Sequence, residues 1–151
     1  MKNLITLLLL VVSTTTFSQI KKIEANTETI EIGKITPGGI KTIYSEKVND
    51  EYYLIHYKDA KYTKIDEWKS FTINNEQDFN DFFDLIIEGF NDIPNDAIML
   101  DTPNGFIWLS YIKVFGKPYA RIGFSTSNTQ YANVGFSNQY NERQIRRLFA
   151  K

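Results

Sequence analysis

The chain has 151 residues, with 17 Lys and Arg against 18 Asp and Glu, one histidine and no cysteine. The near balance of charge excludes bulk attraction to nucleic acid. The absence of cysteine excludes thiol catalysis, disulfides and thiolate zinc sites, and one imidazole is too few for the usual zinc, copper or iron centres. We therefore expect no metal and no cofactor, and a single domain that folds on its core alone.

The first 18 residues have the pattern of a secretory signal peptide. Lys2 precedes an apolar run over residues 4–12, and Thr16 and Ser18 are small residues at the spacing that a signal peptidase recognises. The run is much shorter than the roughly 20 residues of a membrane-spanning helix. We expect cleavage after Ser18, one α+β domain over residues 19–151 without a transmembrane segment, and a periplasmic or extracellular location.

Turn residues separate runs rich in β-branched and aromatic side chains. In "TPGG" (36–39), Pro37 and Gly38 occupy the positions that a type II turn requires. "DTPNG" (101–105) and "GKP" (116–118) separate later runs in the same way. These turns predict hairpins and a mainly antiparallel arrangement of strands.

The run "FIWLSYIKVF" (106–115) is apolar on both of its alternating faces. It predicts a central strand that is covered, at least partly, on both sides. Alternation places Phe115 on the same face as Ile107, Leu109 and Tyr111.

Two helices are predicted. The first covers about 75–90, where Asn75 suits the N-cap and Gly89 lies near the end. The residues that recur there at helical spacing are Phe79, Phe82, Phe83, Ile86 and Phe90. The second covers about 141–150 and begins with a capping box of Asn141 and Gln144.

The first helix is acidic and the second is basic. Their charges are either complementary or merely solvated, or else the basic helix contacts an anionic surface. The resulting fold prediction is α+β: a curved, mainly antiparallel sheet of about seven to nine strands, with the amphipathic helix packed across it and the short C-terminal helix beside it.

His56 lies in "NDEYYLIHYKDAKY" (49–62) and is the only available imidazole base. No serine lies in a Gly-x-Ser-x-Gly elbow, so a Ser/His/Asp triad has no support. Alternation places His56 opposite Tyr53 and Tyr57 on a strand, which is typical of a structural position. We therefore predict no catalytic residue.

Oxygen ligands occur in "NDIPND" (91–96) and at Asp101, without the regular ladder of an EF-hand calcium loop. Asn, Asp and Pro after a helix are ordinary turn residues. Many Asp and Glu residues could form a glycosidase-like pair, but the sequence singles out no two of them.

The aromatic content, 15 % of the chain, is the unusual feature of the composition. Tyrosine and tryptophan are enriched where a surface binds a partner. Trp68 shares its strand face with Ser70 and Thr72, so its ring should be accessible, and pairing with the preceding strand would bring it to Tyr53 and Tyr57. These three residues are the predicted binding site.

The sequence thus favours an exported, non-catalytic binding or interaction domain. Its partner would be a protein, a saccharide or an envelope component, and not nucleic acid. Two alternatives remain: a carboxylate-based hydrolase acting on envelope polymers, and a structural or assembly protein that pairs through a sheet edge.

Overall fold

The computed structural model describes residues 27–129 and 133–151, so the predicted signal peptide lies outside the described residues. In these ranges the chain forms eight strands and two α-helices. In chain order they are β1 (Thr29–Ile35), β2 (Ile43–Val48), β3 (Tyr52–Lys58), β4 (Trp68–Ile73), α1 (Glu76–Asn91), β5 (Ile98–Thr102), β6 (Gly105–Val114), β7 (Lys117–Ser125), β8 (Gly135–Phe136) and α2 (Glu142–Leu148). Neither described helix has the length and apolar character needed to span a bilayer.

The strands form two antiparallel sheets of four. Sheet 1 has the order β1-β2-β3-β4, and sheet 2 has the order β5-β6-β7-β8. The predicted α+β class and antiparallel pairing are confirmed, but the single sheet of seven to nine strands is not: β4 and β5 are separated by α1 and do not pair.

The two sheets share one core. Phe71 of β4 stacks on Phe124 of β7 with ring centroids 6.0 Å apart. The hydroxyl of Tyr57 in β3 donates a hydrogen bond of 2.6 Å to the carbonyl oxygen of Gly135 in β8. Splitting the strands into two sheets lets each apolar inner face cover the other, whereas one open sheet would need more helix to cover it.

Helix α1 matches its prediction closely. The side chain of Asn75 accepts a 2.9 Å hydrogen bond from the backbone N–H of Asp78, as an N-cap should. The predicted apolar face is buried: Phe79, Phe82, Phe83, Ile86 and Phe90. On the side of sheet 2, the hydroxyl of Tyr111 donates to the carbonyl oxygen of Ile86 at 2.8 Å, so the helix is held to both sheets.

Helix α2 begins with the predicted capping box. Asn141 and Gln144 each accept a 2.9 Å hydrogen bond from the other's backbone N–H. Just past the helix, Phe149 is buried against the ring of Phe79, with centroids 4.7 Å apart. The end of α2 also lies against β1: a Cβ added at Gly33 would be 2.1 Å from the carbonyl oxygen of Arg147.

The predicted turns are present, with one change of boundary. Gly38 has a φ of 59°, and the N–H of Gly39 bonds to the carbonyl oxygen of Thr36 at 3.1 Å. In the β6–β7 hairpin, however, β6 ends at Val114 and the turn residues are Phe115 and Gly116. Phe115 is therefore not on the inner face of β6, because the chain has already left the strand.

Candidate functional site

The outer face of sheet 1, turned away from the core, carries a cluster of rings. Cross-strand pairing places Tyr44 of β2 beside His56 of β3, and Trp68 of β4 beside Lys58 of β3. Directly paired residues share a face, so all of these side chains lie on one surface. We call Tyr44, His56 and Trp68 together the Trp68 surface.

Tyr44 contacts both of the other rings of the Trp68 surface. Tyr44 stacks on His56 with centroids 4.6 Å apart and planes 11° from parallel. Tyr44 also meets Trp68 edge to face at 5.7 Å. Both arrangements are favourable aromatic geometries. Trp68 remains 38 % exposed, so its indole is supported by neighbours while keeping a solvent-facing surface.

Two lysines lie over these rings. The Nζ of Lys41 is 4.4 Å from the centroid of Tyr44, and that of Lys58 is 5.5 Å from Trp68. Each ammonium group is also paired with a carboxylate at 2.7 Å, Lys41 with Glu31 and Lys58 with Asp66. Glu31 also pairs with Lys34 at 2.7 Å, so one carboxylate holds two lysines at the edge of the surface.

The same ion pairs affect ionisation around the surface. Hydrogen bonds from Lys34 and then Lys41 lower the pKa of Glu31, and the bond to Glu31 raises the pKa of Lys41. Burial, followed by the nearby carboxylate of Glu46, raises the pKa of Tyr44. These three pKa shifts favour the usual state of each group at neutral pH: Glu31 ionised, Lys41 protonated and Tyr44 neutral.

His56 is held on both sides within this surface. Its Nε2 lies 2.9 Å from Oε1 of Glu46, and its ring is covered by Tyr44. The sequence prediction left His56 and Tyr44 out of the binding site. The signal that could have found them is alternation in β2 and β3, which places both opposite the apolar residues Ile43 and Ile55.

The three residues predicted as a binding site are not brought together. Tyr53 and Tyr57 lie on the inner face of sheet 1, at 5 % and 0 % exposure, while Trp68 lies on the outer face. Tyr53 stacks on Phe79 of α1 at 4.4 Å. Burial raises the pKa of Tyr57 above that of a solvated phenol, so this hydroxyl stays protonated and serves the core. Only Trp68 is placed where it could meet a partner.

A second feature is a cleft of about 240 Å³ between α1, the end of β4 and the β5–β6 hairpin. Its lining includes the carboxylates of Asp78, Asp81 and Asp101. Two of them accept hydrogen bonds from residues at the start of α1: Asp78 from the N-cap residue Asn75 at 3.0 Å, and Asp81 from Gln77 at 2.7 Å. Over residues 27–129 and 133–151, no group of three or more His, Asp or Glu side chains is arranged to hold a metal ion.

Comparison with family models, with curated protein sequences and with solved structures finds no match for this chain. Functional inference therefore depends on the two features just described. The Trp68 surface offers supported aromatic faces, and the cleft offers carboxylates.

Proposed function

We propose that this chain is an exported, non-catalytic binding domain that captures a saccharide of the cell envelope through the Trp68 surface. The observation that carries the proposal is the position of Trp68, which is 38 % exposed while its ring is braced by Tyr44 and Lys58. An exposed indole held in one orientation loses little conformational freedom on binding.

The neighbours of Trp68 suit a sugar ring, which is apolar on one face and carries hydroxyl groups at its edge. Ser70 and Thr72 follow Trp68 on the same side of β4, and Ser70 pairs across to His56. Hydroxyl, imidazole and carboxylate groups supply both donors and acceptors of hydrogen bonds. Glu31 is shared by Lys34 and Lys41, Asp66 pairs with Lys58, and Glu46 lies beside His56. Three lysines therefore lie among three carboxylates, and a neutral polymer fits this surface better than a strongly charged one.

The test measures capture of the protein by insoluble peptidoglycan and by immobilised neutral polysaccharides. Trp68→Ala and Tyr44→Ala should each lower capture roughly tenfold, as expected for loss of an aromatic contact at a binding surface. Met99→Ala is the matched control, because Met99 is also a large exposed side chain, at 50 %, but belongs to sheet 2. Urea titration checks that both proteins are folded. If the folded wild type and Trp68→Ala are captured equally, the proposal is contradicted.

The acidic cleft supports a second candidate, a carboxylate-based hydrolase acting on the same polymers. Asp81 and Asp101 lie on different elements that face one cleft, which is how paired carboxylates of such enzymes are presented. If this candidate is right, the wild-type protein releases reducing ends from a polymer, and Asp81→Asn and Asp101→Asn abolish release. Asp96→Asn, at an exposed position outside the cleft, should leave release unchanged.

An assembly role through a sheet edge is a third candidate. In the described part of the chain, β1 and β4 are the outer strands of sheet 1, and β5 and β8 those of sheet 2. An outer strand can pair with another chain through its unpaired backbone groups. Self-pairing predicts that the apparent mass in size-exclusion chromatography rises with protein concentration, whereas a constant monomer mass contradicts it.

A further inference from the structure

The hairpin between β6 and β7 ends in an unusual residue. Phe115 and Gly116 form its two-residue turn with φ of 49° and 77°, the positive values of a type I′ turn. Asn, Asp or Gly normally fills the first position, because a bulky residue is strained there. The Phe115 side chain is also fully exposed, at 101 %. Neither backbone preference nor packing within the monomer accounts for a phenylalanine at this position.

Cations flank this apex on both sides. Lys113 and Lys117 are exposed. Val114 pairs with Lys117 and Lys113 pairs with Pro118, so the two lysines lie on opposite faces of the hairpin. The sequence from 102 to 141 contains no Asp or Glu, although the whole chain has 18. The hairpin is therefore a cationic projection with an apolar end on a chain that is close to neutral.

We propose that this hairpin apex docks the protein on an anionic lipid bilayer, with Phe115 in the interfacial region and Lys113 and Lys117 on headgroup phosphates. Aromatic rings favour the interface between headgroups and acyl chains, and lysines near an anionic membrane are attracted to it. Cations on both faces of the hairpin fit a headgroup layer that surrounds the inserted apex. A protein pocket would favour charge on the side that meets the partner.

The apex shares no residue with the Trp68 surface, so lipid docking and saccharide binding are independent of each other. Together they would hold the domain at a membrane while the outer face of sheet 1 captures a polymer. Either proposal can be wrong while the other is right. For example, Trp68→Ala should weaken polymer capture and leave lipid docking unchanged.

The experiment is co-sedimentation of the purified protein with vesicles of phosphatidylcholine containing phosphatidylglycerol, and with vesicles of phosphatidylcholine alone. The wild type should partition onto the anionic vesicles and much less onto the neutral ones. Phe115→Asn should lower the partition coefficient about tenfold or more, the value of one buried aromatic side chain. Because Asn-Gly is the preferred sequence of a type I′ turn, this variant should fold at least as well as the wild type.

Substitution of the lysines tests the electrostatic part. Lys113→Gln and Lys117→Gln should each lower partition onto anionic vesicles about fivefold. Added salt should weaken wild-type binding by screening the same attraction. Ile40→Asn is the matched control for Phe115→Asn, because Ile40 is an exposed apolar residue, at 62 %, in a turn of sheet 1. It should sediment like the wild type.

Two results would overturn lipid docking. One is the absence of wild-type binding to anionic vesicles at millimolar lipid. The other is equal partition of wild type and Phe115→Asn. The wild type could also bind neither kind of vesicle, while Phe115→Asn no longer captures an envelope protein that the wild type captures. In that case the apex binds a protein partner and the lipid assignment is wrong.

Discussion

The two faces of sheet 1 carry similar aromatic side chains in opposite environments. On the inner face, Tyr57 and Phe71 are fully buried between the sheets. On the outer face, Tyr44 and Trp68 contact each other and remain partly exposed. The same residue types therefore stabilise the fold on one face and are available for binding on the other. Strand position, and not aromatic content, decides which role a ring has.

The largest expected effect comes from the inner face. Phe71 is 0 % exposed and contacts the rings of Phe82 and Phe124 at 5.9 and 6.0 Å. Phe71→Ala should lower the free energy of unfolding by about 3 to 5 kcal/mol, since it leaves a cavity in the shared core. Urea titration measures the loss. A loss below about 1 kcal/mol would show that the inner face is not the tightly packed region of sheet 1.

A smaller effect is expected from the hydroxyl of Tyr57. Tyr57→Phe keeps the ring but leaves the carbonyl oxygen of Gly135 without the 2.6 Å hydrogen bond that links the two sheets. The expected loss is about 1 to 3 kcal/mol, the cost of a buried acceptor without a partner. Tyr44→Phe, on the outer face, is the control and should change stability by less than about 0.5 kcal/mol. Equal losses in the two variants would remove the distinction between the faces.

Alkaline pH distinguishes buried from exposed phenols. Burial, offset only in part by a hydrogen bond to Thr42, raises the pKa of Tyr140 to about 12 from the usual 10. Its contribution to stability is therefore complete below pH 10 and is lost as the pH rises towards 12, because the unfolded chain gives up its proton first.

The comparison variant is Tyr140→Phe. At neutral pH it should be about 1 kcal/mol less stable than the wild type, since it lacks the 3.1 Å hydrogen bond to Thr42. By pH 11 the wild type should have lost about 1.4 kcal/mol more than the variant, which removes its advantage and leaves the variant equally or slightly more stable. Urea titrations at the two pH values measure this change. A difference that is constant with pH would mean that Tyr140 ionises equally in both states.

Local signals in the sequence were enough for the helices and the turns. The spacing of Phe79, Phe83 and Phe90 gave the buried face of α1, and the pair Asn141 and Gln144 gave the start of α2. The division into two sheets could not be predicted in this way. It depends on whether β4 and β5 pair across an intervening helix, and no residue near either strand decides that.

The candidate site was half predictable for a related reason. Alternation correctly placed Ser70 and Thr72 on the face of Trp68, and His56 opposite Tyr57. What alternation cannot give is the register across the loop 59–67, which pairs Trp68 with Lys58 and so puts Tyr57 on the other face. A shift of one residue would have exchanged the faces. The predicted position of Phe115 on β6 was wrong for a different reason. The chain turns at this residue with a positive φ, which a phenylalanine rarely adopts.

Among the substitutions that remove a whole aromatic ring, Trp68→Ala should have the smallest effect on stability. Trp68 is 38 % exposed, so the substitution removes an edge contact with Tyr44 and the contact of the ring with Lys58 but leaves no cavity in the core. We expect a loss of about 0.5 to 1 kcal/mol by urea titration, compared with several for Phe71→Ala three residues away in the sequence. A loss as large as that of Phe71→Ala would mean that Trp68 maintains the fold, and weaker polymer capture by the variant would then follow from unfolding. A small loss with weak capture would instead separate binding from stability on the two faces of one strand.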